Sequence, residues 1–222
     1  NYLNKMGAKI TGQGTSVIKI VGVEKLTPAR HSIIPDRIEA GTLLIAGAIT
    51  GGDVTVESCQ PHDLEALVSK MRESGFKIDV ESNSLRVHPQ THFEAVDITT
   101  APHPLFATDL QAQFMALMTV AHGTSVITET VFENRFMHVN ELMRLGADIT
   151  PKTQVAVVRG KPGGLSAAPV MATDLRASAS LVLAGLVAKG ETLVGRIYHL
   201  DRGYENLEGK LSSLGAKVKR VN

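Results

Sequence analysis

The chain has 222 residues, 43% of them hydrophobic, and 23 Lys and Arg against 22 Asp and Glu for a net charge of +1. That is length for one large domain or two small ones with a real core, and the neutral balance gives no electrostatic case for nucleic acid or an anionic membrane as partner. Few aromatics and no Trp weigh against base stacking, and the single cysteine, Cys59, excludes an internal disulfide and fits a reducing, cytoplasmic setting.

The chain opens Asn1-Tyr2-Leu3-Asn4-Lys5, with no initiator Met and no apolar leader, inside a helical pattern. It is expected to be a piece of something longer. Its uncharged runs are too short or too polar to span a membrane. Residues 1–26 read as the end of a helix (Tyr2 to Met6), Gly7, and a hairpin of Lys9–Thr11 with Ser16–Val21. The Gly12-Gln13-Gly14-Thr15 link is a hairpin turn rather than a phosphate loop, because a strand and not a helix follows.

The helix-ending pattern recurs as Gly7-Ala-Lys-Ile, Gly75-Phe-Lys-Ile, Gly146-Ala-Asp-Ile and Gly215-Ala-Lys-Val, at separations of 68, 71 and 69. Glycine supplies the left-handed residue that ends a helix, and the β-branched residue starts a strand. Between these marks lie three like units: strand, uncharged helix, turn, strand, amphipathic helix, Gly, and one or two strands.

The first unit has an uncharged helix over 37–50, a strand at Asp53–Glu57, and a helix near 62–74 with Leu64, Leu67, Val68 and Met71 in one stripe. In the second, the spacing predicts a strand at Ala95–Thr99, the stiff Pro102-His103-Pro104, a helix over 109–121, a strand at Ser125–Glu129, and a helix carrying Val139, Leu142 and Met143. The third has an uncharged helix over 175–188, a strand at Glu191–Gly195, and a last helix showing Tyr204, Leu207, Leu211 and Leu214.

Each uncharged helix is apolar or small all round and so must be buried on every side. Three of them most simply pack together on a shared axis, with sheets and amphipathic helices outside: an inside-out α/β barrel of three repeated units. Each is preceded by an acidic residue, Asp36, Asp109 or Asp174, expected as a cap. Arg37 and Arg176 sit in first turns, where their charge opposes the helix dipole, and a local rule broken twice points to a site. Arg135 and Arg202, at the starts of the second helices, join the same rim if the repeat holds.

Guanidinium forks and free helix N–H groups suit carboxylate and phosphate. The plainer alternative is that each Arg pairs with a neighbouring Asp or Glu on the surface. Asp109 is either an ordinary cap or a base, if a hydroxyl lies in reach. His103, His138, His88 and His92 have no partners at metal spacing, and no metal or cofactor is expected. Cys59, before Gln60-Pro61 at a helix start, is either a thiol of lowered pKa or, as preferred here, inert.

The runs Thr100 to Phe114, Glu129 to His138, Met171 to Ser180 and Arg196 to Glu205 closely resemble the UDP-N-acetylglucosamine 1-carboxyvinyltransferases, a family of enolpyruvyl transferases. The likeness covers essentially the whole chain, against the C-terminal half of the family. It implies that residues 1–33 are the tail of a preceding, mostly missing domain plus the crossover, and that 34–222 form the C-terminal domain of three repeats. It implies transfer of the enolpyruvyl group of phosphoenolpyruvate to the 3′-hydroxyl of UDP-N-acetylglucosamine, in bacterial peptidoglycan synthesis, without cofactor.

By the same resemblance Asp109 is general base and sugar ligand, and the Val131 backbone holds the nucleotide sugar. Arg135, Arg176 and Arg202 grip phosphoenolpyruvate, and Asp174 lies near the reacting centre. The family's N-terminal lysine and loop cysteine fall outside this chain, and Cys59 does not match the latter. The chain alone is therefore expected to lack transferase activity, and residues 1–26, without their parent core, to be mobile, cut or self-associating. The alternatives are the sister enzyme acting on shikimate 3-phosphate, a non-catalytic repeat module binding protein, and a likeness to RNA-end-processing repeat folds, which the charge balance disfavours.

Overall fold

The computed structural model describes residues 1–221. Two compact units divide the chain, Asn1–Ile34 and the remainder from Pro35.

The first unit holds one helical turn, α1 (Tyr2–Lys5), and the antiparallel strands β1 (Lys9–Thr11) and β2 (Lys19–Val21), with Lys9 opposite Val21. The Asn4 side chain clamps β1: its amide donates to the Ile10 carbonyl at 2.7 Å and accepts from the Ile10 N–H at 3.0 Å. Gly12 has φ +82°, and a Cβ there would strike the Val17 carbonyl, which confirms turn chemistry. The second strand is shorter than expected. The Thr15 hydroxyl shares its one proton between the carbonyls of Gly12 (2.7 Å) and Val17 (2.9 Å) and accepts from the Val17 N–H (3.3 Å), so the ladder starts only at Lys19.

The second unit begins with α2 (Arg37–Thr50), β3 (Val54–Glu57), a 3₁₀ turn at Pro61–Leu64, α3 (Glu65–Glu73), β4 (Ile78–Val80) and β5 (Ser84–Val87). Then come β6 (Ile98–Thr99), a 3₁₀ turn at Thr108–Leu110, α4 (Gln111–Met118), β7 (Thr124–Thr128), α5 (Val139–Arg144), β8 (Asp148–Pro151) and β9 (Val155–Arg159). Last are β10 (Pro169–Met171), α6 (Leu175–Val187), β11 (Leu193–Gly195), a 3₁₀ turn at Ile197–Arg202 and α7 (Leu207–Ser213).

The uncharged helices α2, α4 and α6 pack against one another, and every residue of α4 is buried. Their small residues make this possible: a Cβ on Gly47 would sit 2.8 Å from both Val54 and Val87, and one on Gly41 2.9 Å from Leu110. Three sheets carry the strands, in the orders β3-β5-β4, β6-β7-β9-β8 and β10-β11. Pairing is antiparallel except β6 with β7 and β10 with β11. The stripe Leu64, Leu67, Val68 and Met71 is buried as its spacing predicts.

Several expectations need correcting. Met143 and Leu214 are half exposed and leave their stripes. The helix expected over 109–121 is a 3₁₀ turn followed by α4, and Thr119–Ala121 fall outside it. Only Ile98 and Thr99 of the expected Ala95–Thr99 strand join the ladder, because the Val96 N–H donates to the Met118 sulfur at 3.4 Å and the Ala95 N–H to the His122 carbonyl at 2.7 Å. Gly7, Gly75, Gly146 and Gly215 all take positive φ, and strands follow the first three. After Gly215 no strand forms, although Val218 is β-branched. In the first two sheets the strand after the Gly pairs with the next strand along, β5 or β9, and among the described residues nothing stands in that place beside Ala216–Val221.

Candidate active site

Asp36 and Asp174 behave as caps. Asp36 accepts from the Ile38 N–H at 2.7 Å, and Asp174 from the N–H groups of Arg176 and Ala177 at 2.7 and 2.9 Å. Asp109 does not cap. It lies inside the 3₁₀ turn before α4, and its carboxylate turns to two guanidiniums: Arg135 donates to Oδ1 at 2.7 Å and Arg176 to Oδ2 at 3.0 Å. Two charge-assisted bonds outcompete a neutral cap.

Both partners are distant in sequence, 26 and 67 residues away, so the reading of each Arg as paired with its sequence neighbour fails for Arg135 and Arg176. Arg176 is aimed from the first turn of α6, and the loop before α5 carries Arg135, whose guanidinium also lies 5.0 Å from the Phe132 ring centre. Burial opposes the charge on Asp109, yet the Arg176 and Arg135 guanidiniums outweigh it and hold the carboxyl below its ordinary value. Burial likewise opposes the charge on Arg176, but Tyr204 and Asp109 hold it more firmly protonated than usual. Two cations on one anion leave a net positive charge, and the Asp109 side chain is 38% exposed. The arrangement can bind a carboxylate or phosphate and can accept a hydrogen bond from a hydroxyl.

Sequence reasoning missed the group that builds this corner. Glu129, just past the end of β7, is 3% exposed. Its carboxylate accepts from the hydroxyls of Thr100 (2.7 Å) and Thr108 (2.8 Å) and from the N–H groups of Val131 (2.9 Å) and Phe132 (3.0 Å). It thereby ties the residue before Asp109 to the loop that bears Arg135. The available signal was an acid where an apolar strand ends.

The Val131 N–H is committed to Glu129, so the backbone group it has left to offer is its carbonyl. His138 is fully buried, and burial pushes its pKa down to about 4; Asp174 opposes that and Arg135 adds to it. Arg202 is exposed and, among the described residues, makes no ion pair; its neighbour Asp201 instead binds Arg220 at 2.7 and 3.0 Å. Gly203 nevertheless packs on Leu175, beside Arg176, where a Cβ would lie 2.8 Å from the leucine. Arg37 opens α2 half-buried, without an ion pair among the described residues.

His88 pairs with Asp79 at 2.6 Å, His92 with Glu94 at 3.1 Å, and His103 lies 3.7 Å from Asp63. Among the described residues no three metal-ligating side chains cluster, and no helix is long and apolar enough to cross a membrane. Cys59 is buried and burial raises its thiol pKa, against the option of a lowered one.

The packed apolar helices and the three sheets make a mixed α/β fold, and solved enolpyruvyl transferases share it. The enolpyruvyl transferase NikO from Streptomyces tendae matches it with a TM-score of 0.88 at 30% identity, over 97% of this chain and 52% of that one. EPSP synthase from Acinetobacter baumannii matches with a TM-score of 0.82 at 18% identity, over 100% of this chain and 54% of that one, a likeness of fold alone.

The chain belongs to the EPSP synthase (3-phosphoshikimate 1-carboxyvinyltransferase) family, whose model matches residues 1–211. It is 80% identical over 220 residues to the UDP-N-acetylglucosamine 1-carboxyvinyltransferase of Bdellovibrio bacteriovorus, which covers 99% of this chain and 53% of that protein. It is 63% identical to that of Myxococcus xanthus, over 98% of this chain and 52% of that protein. The chain thus spans about half the length of the curated relatives it matches.

Proposed function

We propose that this chain is part of a UDP-N-acetylglucosamine 1-carboxyvinyltransferase, joining phosphoenolpyruvate to the sugar 3′-hydroxyl in peptidoglycan synthesis. On this reading residues 1–33 are the tail of a preceding domain and the crossover, and 34–222 the C-terminal domain, an inside-out α/β barrel of three repeats. The observation that carries the reading is the Asp109 carboxylate between Arg135 and Arg176, in a chain 80% identical to a transferase of that name.

Asp109 takes the hydroxyl proton as the oxygen bonds to C2 of phosphoenolpyruvate, whose C2–C3 π pair takes a proton at C3 from an acid of the remaining domain; loss of a C3 proton with phosphate then restores the double bond. A carboxylate clamped by two guanidiniums is a weak base, so an arriving anion that shares the charge of Arg135 and Arg176 also restores part of the basicity of Asp109. Arg202 supplies a third cation, and the three stabilise the anionic adduct before phosphate leaves. Asp174 lies near the reacting centre and the Val131 backbone holds the nucleotide sugar. The partners are phosphoenolpyruvate, UDP-N-acetylglucosamine and the remaining domain of the same protein.

Asp109→Asn in the longer transferase containing this chain should lower kcat by about 10²–10⁴-fold, the usual weight of a general base. Unchanged turnover would remove Asp109 from that role. The 222-residue chain alone should give no turnover above a blank. Binding of shikimate 3-phosphate in place of UDP-N-acetylglucosamine by the longer protein would move the assignment to the sister reaction.

A further inference from the structure

Arg202 closes the 3₁₀ turn Ile197–Arg202 and stands exposed, and the stretch around it is held from two sides. On the inner side Leu200 and Tyr204 are buried, and the Tyr204 hydroxyl lies 2.9 Å from Thr42 Oγ1 and accepts from Gln113 Nε2 at 3.1 Å. Gly203, between them, rests on Leu175 with no room for a Cβ. The backbone next to Arg202 therefore abuts the first turn of α6, which carries Arg176.

On the outer side stands Arg220, from the chain beyond α7. Its Nη1 and Nη2 donate to the two Asp201 carboxylate oxygens at 3.0 and 2.7 Å, and its Nε donates to Glu208 Oε1 at 2.7 Å. Asp201 belongs to the 3₁₀ turn and Glu208 to the first turn of α7, so a single guanidinium spans 201–208 with Arg202 inside the span. An exposed ion pair contributes little by itself. This one is bidentate and has a third charge-assisted bond, a geometry that a lysine ammonium cannot reproduce. Without the cation two carboxylates would face each other across the same place, and their repulsion would part the turn from the helix.

We propose that Arg220 is a positioning residue for Arg202: its fork ties the turn that ends in Arg202 to the start of α7 and so keeps that turn seated on α6, beside Arg176. Among the described residues 216–221 join no strand. They are fastened by the Ser212 hydroxyl, which donates to the Val218 carbonyl at 3.0 Å, and by Arg220. The segment after α7 therefore acts on the rim through charge rather than through a ladder. A seated backbone leaves the Arg202 side chain, and not its whole turn, for an arriving anion to order. The inference rests on the proposed transferase reading only for the identity of that anion.

The test begins with amide hydrogen exchange in the 222-residue chain. The Gly203 and Tyr204 N–H groups both donate to the Leu200 carbonyl at 3.1 Å and report whether the turn is closed. Arg220→Gln should speed their exchange about fivefold, the upper end for an exposed pair, with the amides of β7 and β9 unmoved. Arg220→Lys, which keeps the charge and loses the fork, should fall between. Asp201→Asn should match Arg220→Gln, and the double variant should be no faster than either, because the two act through one contact. A folded Arg220→Gln chain with unaltered exchange at Gly203 and Tyr204 overturns the proposal, as do additive effects in the double variant. Unaltered exchange in Asp201→Asn overturns it equally, and decides the matter where Arg220→Gln fails to fold. In the longer transferase Arg220→Gln should raise KM for phosphoenolpyruvate about fivefold and leave KM for UDP-N-acetylglucosamine unmoved. Equal rises in both would mean general loosening and overturn the proposal. A loosened turn with both KM values unmoved supports the positioning role and counts against Arg202 as a ligand of phosphoenolpyruvate, so the two failures are distinguishable.

Discussion

A carboxylate with four donors and almost no contact with water sits at the end of β7. Removing charge from Glu129 while keeping its shape places an amide where the Thr108 hydroxyl now donates. Glu129→Gln should therefore cost about 2 kcal/mol in urea unfolding and slacken the loop that carries Arg135. His138 gives a pH signature. Its folded-state pKa is depressed from 6.5 to about 4, so the unfolded chain binds the proton first. The stability it contributes is whole above pH 6.5 and is lost as pH falls toward 4, roughly 3 kcal/mol in all. His138→Gln should flatten the urea midpoint against pH over that window. Neither residue's role is visible in sequence. Glu129 reads as a surface acid until the segment between β6 and α4 and the loop after β7 fold round it, and a buried histidine differs from an exposed one only by what covers it.

Elements were far more legible. Helix positions follow from periodicity, capping Asp and terminating Gly, and the buried character of α2, α4 and α6 follows from their lack of any polar face. Chain geometry alone also accounts for the small residues: Gly47 lies where β3 and β5 press on α2. Gly47→Ala should lower stability by about 1–3 kcal/mol by overpacking, although alanine is the better helix former. A stabilised variant in thermal melting would mean that β3 and β5 give way. Strand lengths were the weak point. Whether Val96 enters a ladder depends on a sulfur from α4, and whether Val17 does depends on a local hydroxyl. Neither competitor is marked by spacing. Asp109 taught the same lesson for caps, since its two distant arginines were stronger partners than the N–H groups beside it.

At the scale of the molecule the third sheet is the thinnest. β5 lies between β3 and β4, and β9 between β7 and β8, but β11 pairs only with β10. A groove of about 1210 Å³ runs between β11 and residues 216–221, lined in part by Leu193, Val194, Leu207, Leu211 and Val218. Amides of 193–195 and 216–221 should exchange faster with deuterium than those of β7 and β9. Protection there equal to β7 would mean that another strand, from a second copy, fills the groove. Residues 1–34 likewise expose Val17, Ile20 and Ile33, the last at 89%.

The amino-acid order alone determined the recurring helix-ending glycines, the buried helices and the set of arginines and aspartates worth weighing, because periodicity, capping and burial are written in local spacing. Only the folded chain decided which of those charges meet. Asp109 finds Arg135 and Arg176 across gaps of 26 and 67 residues, and Glu129 enters the site's construction through contacts that no local pattern encodes. Charge pairing in a packed molecule is settled by which elements the core brings side by side, and that depends on every helix at once.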